Sequence, residues 1–315
     1  MPRYTLRQLN YFMAVAEAGS ITGAAQRLHV SHTAVSSALS ELERLLHAQL
    51  LVRRKAHGVT LTPTGSYLLS RASELLEAAE ELELSVASSG EELVGPLVVG
   101  SYVTVAPTVL PPLWEGFAAR HPKVELTFVT GTQDEIPMRL LDGELDLAIV
   151  YDMALPRGVR SVLLYVTTAH IIMPSGHRLA DAEAIALGDL AEDPMVLLEA
   201  PPSSEHTMRL FEDAGVEPRI RYRTTDYEFT RSLVARGVGY AVMVQRPAAD
   251  VSYEGLPLVA KPIVPPARPV RVLMIWPEAV RLSDRARAMV VLAADSGLRS
   301  GTSAAARPAG VAISG

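Results

Sequence analysis

Residues 6–46 read LRQLNYFMAVAEAGSITGAAQRLHVSHTAVSSALSELERLL. Apolar residues at Leu6, Leu9, Phe12, Met13 and Ala16 recur at the spacing of one helical face. Gly19-Ser20 breaks that pattern, and Ser20 is suited to cap a second helix running to about Leu28. Inside it, Ala24 and Ala25 are small enough for another helix to approach closely. His29-Val30 makes a short connection, and Ser31 caps a third helix expected to bury Ala34, Val35, Ala38, Leu39, Leu42 and Leu45. The opposite face carries Thr33, Ser36, Ser37 and Ser40 at i, i+3, i+4 and i+7. Small hydrogen-bonding side chains on a supported helix are what entry into a DNA major groove requires. The plain alternative is a solvated helix face, and the chain beyond the third helix tells against it. Arg53-Arg54-Lys55, then Gly58 and the alternating Val59-Thr60-Leu61-Thr62, predict a two-stranded wing whose cations meet phosphates and fix register.

Charge is segregated in the same sense. Of the 29 basic and 35 acidic residues, seven and three lie in the first 65, so that segment is basic while the remainder is acidic. A basic module on an acidic body suits a nucleic-acid-binding unit joined to one that binds something else. The 315 residues suffice for two or three compact units. The absence of cysteine excludes disulfides, thiol catalysis and thiolate metal sites. No run of about 18 apolar residues predicts a membrane span. No secretory signal is read at the N-terminus, so a cytoplasmic location is expected. His29 and His32 stand at i, i+3, but no third ligand lies nearby, and a metal site is not expected.

Beyond the wing, Leu68, Ala72, Leu75, Ala79, Leu82 and Val86 follow steps of four and three, a heptad seam decorated by glutamates. After Gly95-Pro96, short β-rich runs alternate with helical patterns. These are Leu97–Gly100, Val124–Val129, Leu145–Val150, Met195–Leu198, Arg219–Tyr222, Gly239–Val244 and Val270–Ile275, interleaved with helices over Val109–Arg120, Glu135–Leu141, Ser204–Ala214, Tyr227–Ala235 and Leu282–Ala294. Such alternation predicts an α/β body with mainly parallel sheets. A Pro-rich crossing at Pro262, Pro265, Pro266 and Pro269 suits a chain returning from one subdomain to another. The tail, rich in Ser, Ala and Gly, is expected to be disordered.

The quoted stretch, followed by the wing and LTPTG (residues 61–65), strongly resembles the DNA-binding domain of LysR-type transcriptional regulators. The match runs ungapped over about 65 residues and includes the Ala-Ala pair, Ser-x-x-Ala-Val-Ser and a later Leu-Glu. The stretches LVVGSYVTVAPTVLPPLWEGFAARHPKVEL, LLDGELDLAIVYD and YRTTDYEFTRSLVARGVGYAVMVQRP resemble the same family's regulatory domain. The resemblance implies an N-terminal winged helix-turn-helix dominated by α-helix (residues 1–63) and a dimerising linker helix (64–90). It also implies a two-lobed regulatory domain like a periplasmic binding protein (91–297), with lobe I at about 91–165 and 268–297 and lobe II at about 166–267. By position, Ser31, His32, Thr33, Ser36, Ser37, Arg53, Arg54 and Lys55 are the candidate DNA contacts. Relatives usually carry Gln-Pro or Gln-Ser after the capping Ser and an Arg after the second Ser. This chain has His32-Thr33 and Ser37, so affinity is expected to lean on the wing.

The family's ligand sits between the lobes, at strand ends and helix N-termini. Candidates by position are Ser101, Tyr102, Thr132, Ser203, Ser204 and Thr225, while Asp226 reads as a helix cap. For each hydroxyl the bland role is capping or turn formation. The partners implied are promoter DNA, a small-molecule effector, RNA polymerase and further copies of the chain as a homodimer or homotetramer. No cofactor is implied. No Gly-x-Ser-x-Gly elbow, phosphate loop or paired-His motif supports an enzyme. The competing readings are a constitutive DNA-binding regulator without effector and a solute-binding protein, the latter leaving the first 90 residues unexplained.

Overall fold

The structure, a computed structural model, describes residues 3–54, 58–87 and 92–295. Lys55, the exit at residues 88–90 and the tail expected to be disordered lie outside the described residues, as do the side chains of Arg53 and Arg54.

Helix α1 (Leu6–Ala18) opens on a capping box in which Thr5 and Gln8 satisfy each other's backbone amides, and it closes on Gly19 in the left-handed region. Ser20 caps α2 (Ile21–Arg27) by accepting from Gly23 N–H at 3.1 Å. His29 makes the tight turn at φ 53°, and Ser31 caps α3 (His32–Leu46) by accepting from Ala34 N–H at 3.1 Å. Leu9, Phe12 and Val15 of α1 share one core with Ala24 and Ala25 of α2 and with Val35, Leu39 and Leu42 of α3. Burial on α3 begins at Val35; Ala34 is exposed and Ala38 and Leu45 are half-buried. The first turn of α3 therefore projects past the helices beneath it. Leu6 is likewise exposed, and Val15 rather than Ala16 completes the buried face of α1.

Strands β1 (Leu51–Arg54) and β2 (Gly58–Leu61) pair antiparallel with Leu51 opposite Leu61. The wing is tied to the helices at both ends. Glu43 accepts from Leu50 and Leu51 N–H at 2.8 and 3.1 Å, and Val59 N–H donates to Gly19 O at 2.8 Å. Thr62 then caps the long helix α4 (Pro63–Ala87), accepting from Gly65 N–H at 2.9 Å while its hydroxyl donates to Gln49 O at 2.7 Å. Ala72 of α4 is buried, and Leu68, Leu69 and Leu76 pack on the head, whereas Leu75 and Leu82 are 42% and 65% exposed.

The body comprises β3 (Gly95–Tyr102), α5 (Ala106–Arg120), β4 (Val124–Gly131), α6 (Glu135–Leu141), β5 (Leu147–Tyr151) and β6 (Val159–Thr167). The chain then forms β7 (His170–Pro174), β8 (Pro194–Leu198), α7 (Ser203–Asp213), β9 (Arg219–Thr224), α8 (Tyr227–Ala235), β10 (Ala241–Met243) and β11 (Leu258–Pro262). It returns through β12 (Val270–Pro277) and α9 (Asp284–Asp295). The first lobe is built on a five-stranded sheet ordered β4-β3-β5-β12-β6, and the second on β10-β7-β11 and β8-β9. The sheets are mixed, which corrects the expectation of mainly parallel pairing. Only β3–β4, β3–β5 and β8–β9 are parallel among the named strand pairs of the body. The returning β12 enters antiparallel between β5 and β6, and β7 pairs antiparallel with β10 and β11. Strands β6, β7 and β11 were not anticipated. They carry the crossings between lobes, where no helix separates one strand from the next and the alternation signal is lost.

Candidate functional site

Two places gather exposed or converging polar groups on a rigid frame. The first is the leading turn of α3. Its N-terminal amides are aligned, Ser31 occupies the cap, His32, Thr33 and Ser37 are exposed, and Ser36 is half-buried. Directly beneath, Val35 and Leu39 have no solvent exposure. A polar ridge fixed to an apolar base holds its side chains in a fixed relative placement, as groove reading requires. Of the head's cations, Arg27 is paired with Glu17 and Arg44 with Glu41, both at 2.5 Å. Both pairs are solvated and contribute little stability. Their effect here is to neutralise charge, leaving Arg3, Arg7 and the three cations of the wing segment as the head's other basic residues. The Arg44 guanidinium bonded to Glu41 also holds that carboxyl below its usual range. A cleft of about 260 Å³ lies behind this surface, between α1 and α4, lined by Asn10, Met13, Glu17, Arg27, Leu28 and Leu76. None of the ridge residues of α3 lines it, and its Glu17 and Arg27 are paired with each other.

The second place lies between the lobes. Ser101 is fully buried at the end of β3 and donates to Tyr102 O at 3.2 Å. Tyr102 crosses to the second lobe, its hydroxyl 3.4 Å from Ser203 Oγ at the start of α7. Ser204 is half-buried beside it, its N–H directed to Ala200 O at 3.4 Å. Thr132 is exposed and committed to its own turn, donating to Asp134 at 2.6 Å and accepting from Glu135 N–H at 3.4 Å. Thr225 is exposed; the hydroxyl buried at that hinge is Thr224, bonded to Thr230 at 2.8 Å. Asp226 caps α8 by accepting from Phe229 N–H at 2.6 Å.

Residues that sequence reasoning missed complete the interlobe network. Tyr165 donates to Gln245 Oε1 at 3.0 Å, and Gln245 Nε2 donates to Tyr151 Oη at 3.1 Å. Thr104 Oγ1 lies 3.5 Å from Tyr151 Oη, and Thr167 donates to Val244 O at 3.0 Å. Gln133 fixes the end of β5, with its amide bonded to the Tyr151 backbone on both sides. The rings of Tyr102 and Tyr151 meet edge to face with centroids 5.4 Å apart. Burial pushes the hydroxyls of Tyr102, Tyr151 and Tyr165 above the usual phenol range, so all three keep their protons at neutral pH. The available signal was an aromatic at the C-terminal end of a central strand, which LAIVY places at Tyr151.

Comparison with known proteins gives this geometry its context. Residues 6–66 match the bacterial regulatory helix-turn-helix protein, lysR family, and residues 90–297 match the LysR substrate binding domain. The C-terminal domain of a probable LysR family transcriptional regulator from Rhodococcus sp. RHA1 is 41% identical, covering 64% of this chain and 99% of its own, with a TM-score of 0.62. A probable hydrogen peroxide-inducible genes activator of Mycobacterium avium is 34% identical over 195 residues, 62% of each chain. Full-length CbnR, solved in complex with its target DNA, is 26% identical, covering 93% of this chain and 99% of its own, with a TM-score of 0.60. Among the described residues no helix is long and apolar enough to cross a membrane. The chain belongs to the LysR family of bacterial transcriptional regulators, with a helix-turn-helix DNA-binding head and a substrate-binding domain.

Proposed function

We propose that this regulator reads promoter DNA through the first turn of α3 and responds to a small effector bound between its lobes. The observation that carries the reading is the exposed ridge of Ser31, His32, Thr33 and Ser37, with Ser36 beside it, on a fully buried apolar base. Arg53, Arg54 and Lys55 supply the sequence-independent attraction to phosphates. The chain divides into a head at 1–63, a linker at 64–90 and a two-lobed body at 91–297. The linker pairs two chains, so two heads related by a twofold axis read the halves of an interrupted palindrome. Closure of the lobes on the effector changes the relative placement of the heads, and with it DNA bending and contact with RNA polymerase. The regulator works in the cytoplasm, by binding rather than by catalysis. A relative is named for hydrogen peroxide, but this chain has no cysteine, so no thiol oxidation underlies its response.

The experiment is Ser37→Glu. This side chain is exposed, so the fold is retained, while a carboxylate facing phosphates and base edges is repelled. Binding to the native operator is expected to fall at least a hundredfold in a mobility-shift titration, with an unchanged thermal midpoint. Undiminished binding removes α3 from the DNA interface.

A further inference from the structure

The groups that meet across the lobes share one chemical property. Tyr102, Thr104, Tyr151, Tyr165, Ser203 and Gln245 are all uncharged, and every one of them both donates and accepts hydrogen bonds. We infer that the effector is an uncharged aromatic bearing hydroxyl groups, a phenol in its un-ionised form, whose hydroxyls take over between the opened lobes the hydrogen bonds that these side chains make with one another. The inference rests on the reading of the interlobe cleft as the effector site.

A carboxylate is the alternative, and three features of the site oppose it. An anion taken out of water is strongly disfavoured unless a cation or a set of amides receives it. The guanidiniums nearest the hinge are committed. Arg246 makes two bonds to Asp250, at 2.7 and 3.2 Å. Arg231 is buried against Glu228 at 2.9 Å and also donates to the Val251 carbonyl. Several of the amides at the helix ends are already engaged. Pro107 stands in the first turn of α5 without an amide hydrogen, Val105 N–H is spent on Tyr102 O, and Ser203 and Ser204 N–H both turn to Ala200 O. Finally, the hydrogen-bond partners of the Tyr102, Tyr151 and Tyr165 hydroxyls, Ser203, Thr104 and Gln245, are all uncharged. The site's apolar surface comes from aromatic rings, Tyr102 standing edge to face with Tyr151, an arrangement that a further ring extends. A hydroxylated ring matches both the donors and the acceptors, whereas a carboxylate only accepts.

The test is calorimetric titration of the full-length protein with catechol, with benzoate as the carboxylate of the same ring, and with glucose as a hydroxylated molecule without one. Each is repeated on Tyr151→Phe, Gln245→Leu and Ser203→Ala, the last lying half-buried at the rim where truncation spares the fold. Catechol is expected to bind at least tenfold more tightly than benzoate or glucose and to lose at least fivefold in each variant. Benzoate binding more tightly, and weakened by the same substitutions, overturns the ligand class while leaving the interlobe site standing. Glucose preferred over catechol overturns the aromatic requirement. Catechol binding that none of the three substitutions changes overturns the cleft as its site. No binding of any probe overturns the inference.

Discussion

At the scale of single residues, close approach and burial make the sharpest demands. Gly65 lies where α4 leaves the wing, and a Cβ built on it stands 2.1 Å from the backbone oxygen of Leu50. Backbone cannot swing aside as a side-chain tip can, so Gly65→Ala is expected to cost about 2 kcal/mol or more in urea unfolding. Gly143 gives the control: at φ +80° its Cβ would meet nothing within 4 Å, and alanine there costs about 1 kcal/mol of conformational strain alone. Equal losses at both positions would remove the steric account. His170 makes the second demand. Burial, reinforced by Arg246, pulls its imidazole down to about 4, and its Nε2 has no hydrogen-bond partner. Arg231 acts in the same direction and Asp250 against it. Because the folded state binds the proton less readily than the unfolded chain, stability from this residue is present above pH 6.5 and falls as pH drops towards 4. At pH 5 the linkage amounts to about 2 kcal/mol. Wild-type protein should thus lose more of its unfolding free energy between pH 7.5 and 5 than His170→Gln, and parallel losses would refute the assignment. At this scale the sequence was legible where a residue's role is local. Ser20, Ser31 and Asp226 cap the helices expected of them, because capping depends only on the next three residues. Tyr151, Tyr165 and Gln245 were not legible. They meet across separations of 80 and 94 residues, which no local pattern records.

Among the elements, α4 serves two surfaces at once. The six-residue seam read from the sequence is split by the structure: Leu68 and Ala72 turn towards the head, while Leu75 and Leu82 face solvent. A heptad pattern identifies the apolar positions but not which of them the chain's own head will cover, since that depends on the angle at which Thr62 launches the helix. The outward leucines fit a second linker helix, and one charge among them should separate dimer from fold. Leu75→Glu is expected to weaken self-association at least tenfold in sedimentation equilibrium, about 1.4 kcal/mol per decade, with the helical circular dichroism signal kept. A dimer of unchanged affinity would place the interface elsewhere. Helices α6 and α8 were read to the residue: α8 has a capping aspartate before it, and α6 buries Ile136, Pro137 and Leu140. By contrast β7 and β11 were missed, since each is a five-residue strand defined by partners far along the chain rather than by its own periodicity.

For the whole molecule, charge and connectivity act together. The first 65 residues are basic while the chain as a whole carries a formal charge of −6. Phosphates therefore attract the head and repel the body, which orients encounter with DNA before any base is read. Within the head, Arg27 and Arg44 are already paired with carboxylates, so the release of counterions should fall to the wing cations together with Arg3 and Arg7. Each phosphate neutralised contributes roughly −0.9 to the slope of log K against log salt. A dimer presents every wing twice. Arg54→Gln should accordingly make the slope shallower by about 1.8 and weaken binding to operator and to unrelated DNA by similar factors. Ser37→Glu should instead act most strongly on the operator if, as proposed, α3 meets bases as well as phosphates. Filter-binding titrations of both variants between about 50 and 200 mM salt, the range over which such contacts are distinguished, separate the two roles. If Arg54→Gln left the slope unchanged while altering sequence preference, the wing would be reading bases. The division of labour between helix and wing would then be reversed.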